Sequence, residues 1–186
     1  MGKVVVTEFV TLDGVFEDPG GSEGATAGGW AFKAERDEEG DKFKVDELDA
    51  ADAQLLGKAT YEGFAAAWPQ RSGDPFSDKF NAMPKYVFSS TIESAEWNNS
   101  TIISGDLAEE VGKLKDQVEG DILVSGSGQL VHGLLEADLV DELRLMVFPT
   151  VAGQGRRLFD GAPPAQLKLT EAGKAGDTVT AVYTRQ

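Results

Sequence analysis

The stretch Asp121-Ile122-Leu123-Val124-Ser125-Gly126-Ser127-Gly128-Gln129-Leu130-Val131 decides how the chain is read. Its first half is a short apolar run bounded by a turn signal, which predicts a buried strand. The run ends in Gly-Ser-Gly ahead of a segment with helical spacing. Glycine at such a strand-to-helix turn lets a backbone or a ligand approach where a Cβ would collide. The first amides of the helix have no partner inside it and can face a phosphate. A tight turn that merely packs a helix on a sheet explains the same residues. A Rossmann fingerprint does not fit, because its third glycine position holds Val131. The next strand-like run, Leu143 to Val147, passes into Phe148-Pro149-Thr150 without the acid that would hold a ribose. The motif therefore reads as a phosphate turn on another sheet topology.

Outward from this motif, strand-like and helical segments alternate. Val4 to Val10 is a β-branched run expected as a central strand. A Gly-rich loop runs from Asp18 to Trp30, and the acidic cluster Glu35 to Asp41 reads as a solvated loop and helix start. A helix is predicted over Asp41 to Ala53, a short buried strand over Leu55-Leu56-Gly57, and a helix over Tyr61 to Trp68 with Thr60 as its N-cap. Phe76 to Met83 reads as a brief helix, Tyr86-Val87-Phe88 and Ile102-Ile103 as strands, and Leu107 to Val118 as a charged amphipathic helix. Glu142 to Val151, Gln166 to Glu171 and Thr178 to Thr184 alternate and are joined by Gly-rich turns. The expected architecture is a three-layer αβα protein, its mixed and mainly parallel sheet finished by an antiparallel C-terminal hairpin. A single domain over residues 1–186 is expected, since this length buries a real core without staples.

Composition excludes several function classes. There is no cysteine and one histidine, His132, so disulfides, thiolate nucleophiles and clustered metal ligands are not expected. The formal net charge of −15 repels nucleic acid and anionic membrane. No apolar run approaches the roughly 18 residues of a bilayer span, and Met1 to Val6 carries no signal-peptide pattern. A soluble, cytoplasmic protein is expected.

Three segments fall at the ends of consecutive predicted strands. Gly57-Lys58-Ala59-Thr60 places a cation and a hydroxyl at a helix start, Ser89-Ser90-Thr91 places three hydroxyls after a strand, and Gly126-Ser127-Gly128 is the third. Ligands of open α/β sheets bind beyond the carboxyl ends of the strands. Together the segments offer amides, hydroxyls and a lysine to a ligand with several phosphates. Capping and turn chemistry would account for each one separately.

With these blocks in order, the chain resembles the dihydrofolate reductase-like superfamily. Within it, the chain is similar to the reductase domain of the bacterial riboflavin-pathway deaminase-reductase. The resemblance covers nearly the whole chain. It rests on Thr11-Leu12-Asp13-Gly14, on Leu55 to Phe64 with Trp68-Pro69, and on Phe88-Ser89-Ser90-Thr91. The Ser125 to Gly128 turn and Phe148 to Gly155 leading to Leu158-Phe159 complete it. It implies an NADPH cleft in which Lys58, Thr60, Ser89 and Ser90 hold the adenosine end with its 2′-phosphate. Gly126, Ser127, Gly128, Gln129 and Leu130 then match the pyrophosphate turn. Lysine keeps the charge of the arginine common at position 58 but loses its bidentate fork.

By the same resemblance Asp13 is the acid beside nicotinamide and substrate, open to a raised pKa in a closed site. An Asx turn before Gly14 is its structural alternative. Trp30, Trp68 and Phe148 are expected as walls of the substrate side, with core packing the competing reading. The zinc-binding deaminase half of the riboflavin enzyme is absent. The helical acid of dihydrofolate reductases has no marked counterpart, with Glu47 and Asp52 only roughly in place. The expected activity is an NADPH-dependent reductase, forming a homodimer and passing hydride to a small heterocyclic or ribosylaminopyrimidine-type substrate. The nearest named activity is 5-amino-6-(5-phosphoribosylamino)uracil reductase. A pterin reductase, a non-catalytic NADP(H)-binding sensor, and an interaction domain without nucleotide affinity remain as alternatives.

Overall fold

Parallel strand pairing sets the frame of the N-terminal three quarters of the chain, and antiparallel pairing sets the rest. The computed structural model describes residues 1–35 and 37–186. Arg36, inside the acidic cluster expected as a loop and helix start, lies outside the described residues. Among the described residues the order is β1 (Val4–Thr11), α1 (Glu38–Ala50), β2 (Ala51–Gly57), α2 (Lys58–Ala67), α3 (Pro75–Ala82), β3 (Lys85–Phe88) and β4 (Ser100–Ile103). There follow α4 (Leu107–Gln117), β5 (Asp121–Ser125), α5 (Gly128–Glu136), β6 (Glu142–Phe148), β7 (Leu167–Ala175) and β8 (Thr178–Arg185). The eight strands hydrogen-bond in the order β4-β3-β2-β5-β1-β6-β8-β7. β2 pairs in parallel with β3 and β5, and β3 with β4. β8 pairs antiparallel with β6 and β7. This is the expected mixed α/β sheet.

The chain forms two compact units, one of Met1–Val6 with Val45–Asp141 and one of Thr7–Lys44 with Glu142–Gln186. In the first unit β2 is a central parallel strand, and Ala53 to Leu56 are all buried, as expected when both faces of a strand are covered. Val5, Leu56, Tyr61, Phe80, Val87, Trp97 and Leu123 belong to one apolar cluster of this unit. The helices start where side chains satisfy their orphan amides. Asp74 accepts from the Ser77 amide at 2.9 Å ahead of Pro75, and Asp106 accepts from the Glu109 amide at 3.0 Å.

Several boundaries differ from the sequence reading, and two of them bear on the site. α1 stops at Ala50 rather than Ala53, because Ala51 to Gln54 are taken into the β2 ladders with β5 and β3. Pairing with β5 overrides alanine's helical preference. α2 begins at Lys58 with Gly57 as its cap residue, so Thr60 lies in the first turn and is not the N-cap.

In the second unit β6, β8 and β7 form the antiparallel part of the sheet. Their core centres on Trp30, Met146, Phe148 and Ala175, with Phe9 and Phe43 packed against it.

Candidate functional site

In the first unit, the three chemistry-bearing segments emerge at the carboxyl ends of neighbouring parallel strands. Gly57 at the end of β2 pairs in register with Phe88 at the end of β3. Lys58 and Ser89 therefore leave the sheet side by side. β5, the other neighbour of β2, delivers Gly126 and Ser127.

The turn after β5 locks to the turn after β2. The Ser127 amide donates to Thr60 Oγ1 at 2.8 Å, and the Gly57 amide donates to Ser127 Oγ at 2.9 Å. Ser127 Oγ donates in turn to the Ser125 carbonyl at 3.2 Å. Gly126 and Ser127 both adopt the left-handed conformation, with φ of 58° and 54°. A Cβ on Gly126 would stand 3.0 Å from Thr60 Oγ1, so glycine is required by close approach as well as by backbone angle. The Val131 amide closes the first turn of α5 on the Ser127 carbonyl at 2.9 Å. The amides of Gly128, Gln129 and Leu130 precede that bond and point out of the helix start, where the helix dipole favours an anion. Thr60 thus orients the turn before α5 through Ser127, a role that only the fold reveals.

Lys58 Nζ lies 3.5 Å from Thr91 Oγ1 and 3.9 Å from Glu62 Oε1. Ser89 Oγ accepts from the amides of Thr91 and Ile92, each at 3.2 Å, which fixes the loop after β3. Ser90 is exposed beside it. An open groove of about 680 Å³ adjoins Lys58 and carries Tyr61, Glu62, Thr91, Glu93 and Glu96 on its lining. Its carboxylates were missed in the sequence. The i, i+4 spacing of Lys58 and Glu62 on α2 was the available signal.

In the second unit, Asp13 is held by the segment after β6. Its Oδ1 accepts from the Thr11 hydroxyl at 2.6 Å and the Ala152 amide at 3.0 Å, while Oδ2 accepts from the Gly153 amide at 2.8 Å. Arg157 donates to the Asp13 carbonyl at 2.9 Å and its guanidinium lies 3.6 Å from Oδ2. The Thr11 hydroxyl and then the two amides hold the carboxyl well below the usual carboxylate range. A raised pKa at Asp13 is therefore corrected, since donors surround the group where apolar burial was considered. The Asx turn is not formed either: the Val15 amide donates to Thr11 Oγ1 at 3.0 Å, and the Asp13 carboxylate instead joins the turn after β1 to residues 152 and 153.

Trp30 and Phe148 are each 1% exposed, with ring centroids 5.3 Å apart. Trp30 Nε1 donates to the Glu17 carbonyl at 3.1 Å. Their expected role as substrate walls is corrected to core packing, because both rings are enclosed by the apolar cluster of the second unit. Trp68, in the first unit, packs on Phe80 at 4.2 Å between centroids and under the Arg71 guanidinium at 4.8 Å. It too is engaged in packing. Asp52 sits in β2 rather than in a helix and accepts from the Gly120 amide at 2.8 Å, whereas Glu47 is a buried residue of α1. Among the described residues no group of three or more His, Cys, Asp or Glu could hold a metal ion, and no helix is long and apolar enough to cross a membrane.

The model of the RibD C-terminal domain family matches residues 2–181 of this chain. A Bacillus subtilis (strain 168) protein named "Uncharacterized protein YyaP" is 30% identical over 162 residues, which are 84% of this chain and 80% of that one. The crystal structure of a protein from Shewanella sp. PV-4 assigned to riboflavin biosynthesis superposes with a TM-score of 0.79 at 20% identity, covering 99% of each chain. Dihydrofolate reductase from Enterococcus faecalis, complexed with NADP(H), superposes with a TM-score of 0.64 at 18% identity over 100% of this chain and 97% of that one. At these identities the two structures speak for the fold.

Proposed function

The chain belongs to the RibD C-terminal domain family, and on that premise we propose that it is an NADPH-dependent reductase of a small heterocyclic or ribosylaminopyrimidine-type substrate. The observation that carries this reading is the interlocked pair of turns in the first unit. Thr60 and Ser127 hold the start of α5 with its first amides free of helix partners, beside a lysine and a row of hydroxyls. That donor set fits a dinucleotide's phosphates: amides for a pyrophosphate, and Lys58 with Ser89 and Ser90 for a 2′-phosphate. A bound nicotinamide supplies a hydride to an unsaturated carbon of the substrate. The chain's own part is to bind and orient.

Titration with NADPH and with NADH, followed by tryptophan quenching and energy transfer to the nicotinamide, tests the reading. Micromolar binding of NADPH supports it, and no binding of either nucleotide discards it. Lys58→Ala is expected to weaken NADPH about tenfold and NADH little, since one phosphate-facing cation is removed. Equal losses would take Lys58 away from the 2′-phosphate. Binding without turnover across pyrimidine and pterin substrates would favour the non-catalytic alternative.

Asp13 enters as a fixed anion that ties the Thr11–Phe16 turn to the segment 152–157, and not as a proton donor. Its folded pKa lies below the unfolded value, so its contribution is in place above the ordinary carboxylate range and is lost only in stronger acid. Turnover should therefore show no titration of this group between about pH 5 and 9. A kinetic pKa in that window that disappears in Asp13→Asn would contradict the assignment.

A further inference from the structure

The strongest unassigned feature is the company Lys58 keeps. Its side chain is 40% exposed, and its ammonium lies 3.9 Å from the Glu62 carboxylate one helical turn on. The adjoining groove has Glu93 and Glu96 on the same lining, which makes the surroundings of Lys58 acidic. A phosphate dianion arriving at Lys58 meets a cation whose field is already shared, and it feels Glu62 directly. A 2′-hydroxyl in its place loses nothing by that arrangement and can donate to a carboxylate.

The geometry points to Glu62 as a specificity-determining residue that lowers the preference for a 2′-phosphorylated dinucleotide. This rests on the cofactor reading above and deepens it. Lys58 attracts the extra phosphate and Glu62 opposes it, so wild-type protein discriminates only weakly between NADPH and NADH. Both side chains sit on the first two turns of α2, which fixes their spacing whatever the loop after β3 does. Because both are substantially exposed, the opposition is screened by salt.

The test is a set of fluorescence titrations with NADPH and NADH at low ionic strength. The proteins are wild type, Glu62→Gln, Lys58→Ala and, as a distant charge control, Asp116→Asn on the exposed face of α4. Glu62→Gln should raise the NADPH-to-NADH affinity ratio roughly three- to tenfold, through tighter NADPH, and high salt should shrink the gain. Lys58→Ala should move the ratio the other way, and Asp116→Asn should leave it unchanged. An unchanged ratio in Glu62→Gln, or an equal rise in Asp116→Asn, while both nucleotides still bind, overturns the role of Glu62. Failure of either nucleotide to bind wild-type protein sinks the cofactor reading itself, and this inference with it.

Discussion

Gly126→Val should raise the dissociation constant for NADPH and NADH alike by at least about thirtyfold while leaving a folded protein. The backbone at this position has φ of 58°, where a β-branched residue costs about 1–3 kcal/mol. The new Cβ would also approach Thr60 Oγ1 to 3.0 Å, with its methyls closer still to the α2 turn. Relief requires the β5–α5 turn to move away from Thr60, which breaks the hydrogen bond from the Ser127 amide to Thr60 Oγ1 and redirects the first amides of α5. The loss should be common to both nucleotides because pyrophosphate is common to both. In a chain of 186 residues the melting temperature should fall by roughly 2–12 °C, at about 2–4 °C per kcal/mol. Gly126→Asn should lose less, since Asn tolerates the left-handed region. Unaltered affinity in Gly126→Val would remove the turn from nucleotide binding.

The largest stability effect is expected at Lys85, at the first position of β3 and 0% exposed. Its ammonium donates to the carbonyls of Asn81, Met83 and Asn98 at 2.6, 2.8 and 2.9 Å, and lies 4.2 Å from the centre of the Trp97 ring. One side chain thus ties the end of α3 to the loop before β4. All three of its donors are satisfied by backbone carbonyls. Lys85→Met keeps the stem but removes those three bonds, and should destabilise the protein by about 3 kcal/mol in urea unfolding. A loss under about 1 kcal/mol would mean that water replaces the ammonium without cost.

Burial pushes the Lys85 pKa down to about 8, against which the three carbonyls and the ring face hold the proton. Between that value and the ordinary lysine value the unfolded chain binds the proton that the folded chain has released. Stability should therefore rise with pH across this window and not below it. Lys85→Met should lack the rise, and a rise that survives the substitution belongs to other groups.

Strand and helix order was legible in the sequence wherever one periodicity dominated. The alternation from Glu142 onward marked the antiparallel strands, and the run before Gly126 marked a buried strand ending in a glycine turn. Where propensity and pairing conflict the sequence misled. Ala51 to Ala53 read as helix, yet they belong to β2, where Ala51 and Ala53 pair with β5. Thr60 read as a cap because its local spacing fits one, yet its hydroxyl serves an amide 67 residues away.

The same division runs through the site. By itself the sequence determined that a lysine, hydroxyls and glycine turns close successive strands, because residue type and strand end are both local properties. Only tertiary structure decided what those groups touch. Lys58 comes to 3.5 Å from Thr91 once β3 lies beside β2. Trp30 and Phe148 become core once the antiparallel strands enclose them. Asp13 becomes a locked carboxylate because amides about 140 residues further along donate to it. Charge state and exposure are set by neighbours in space, and the strand order that supplies those neighbours is written nowhere in the local pattern.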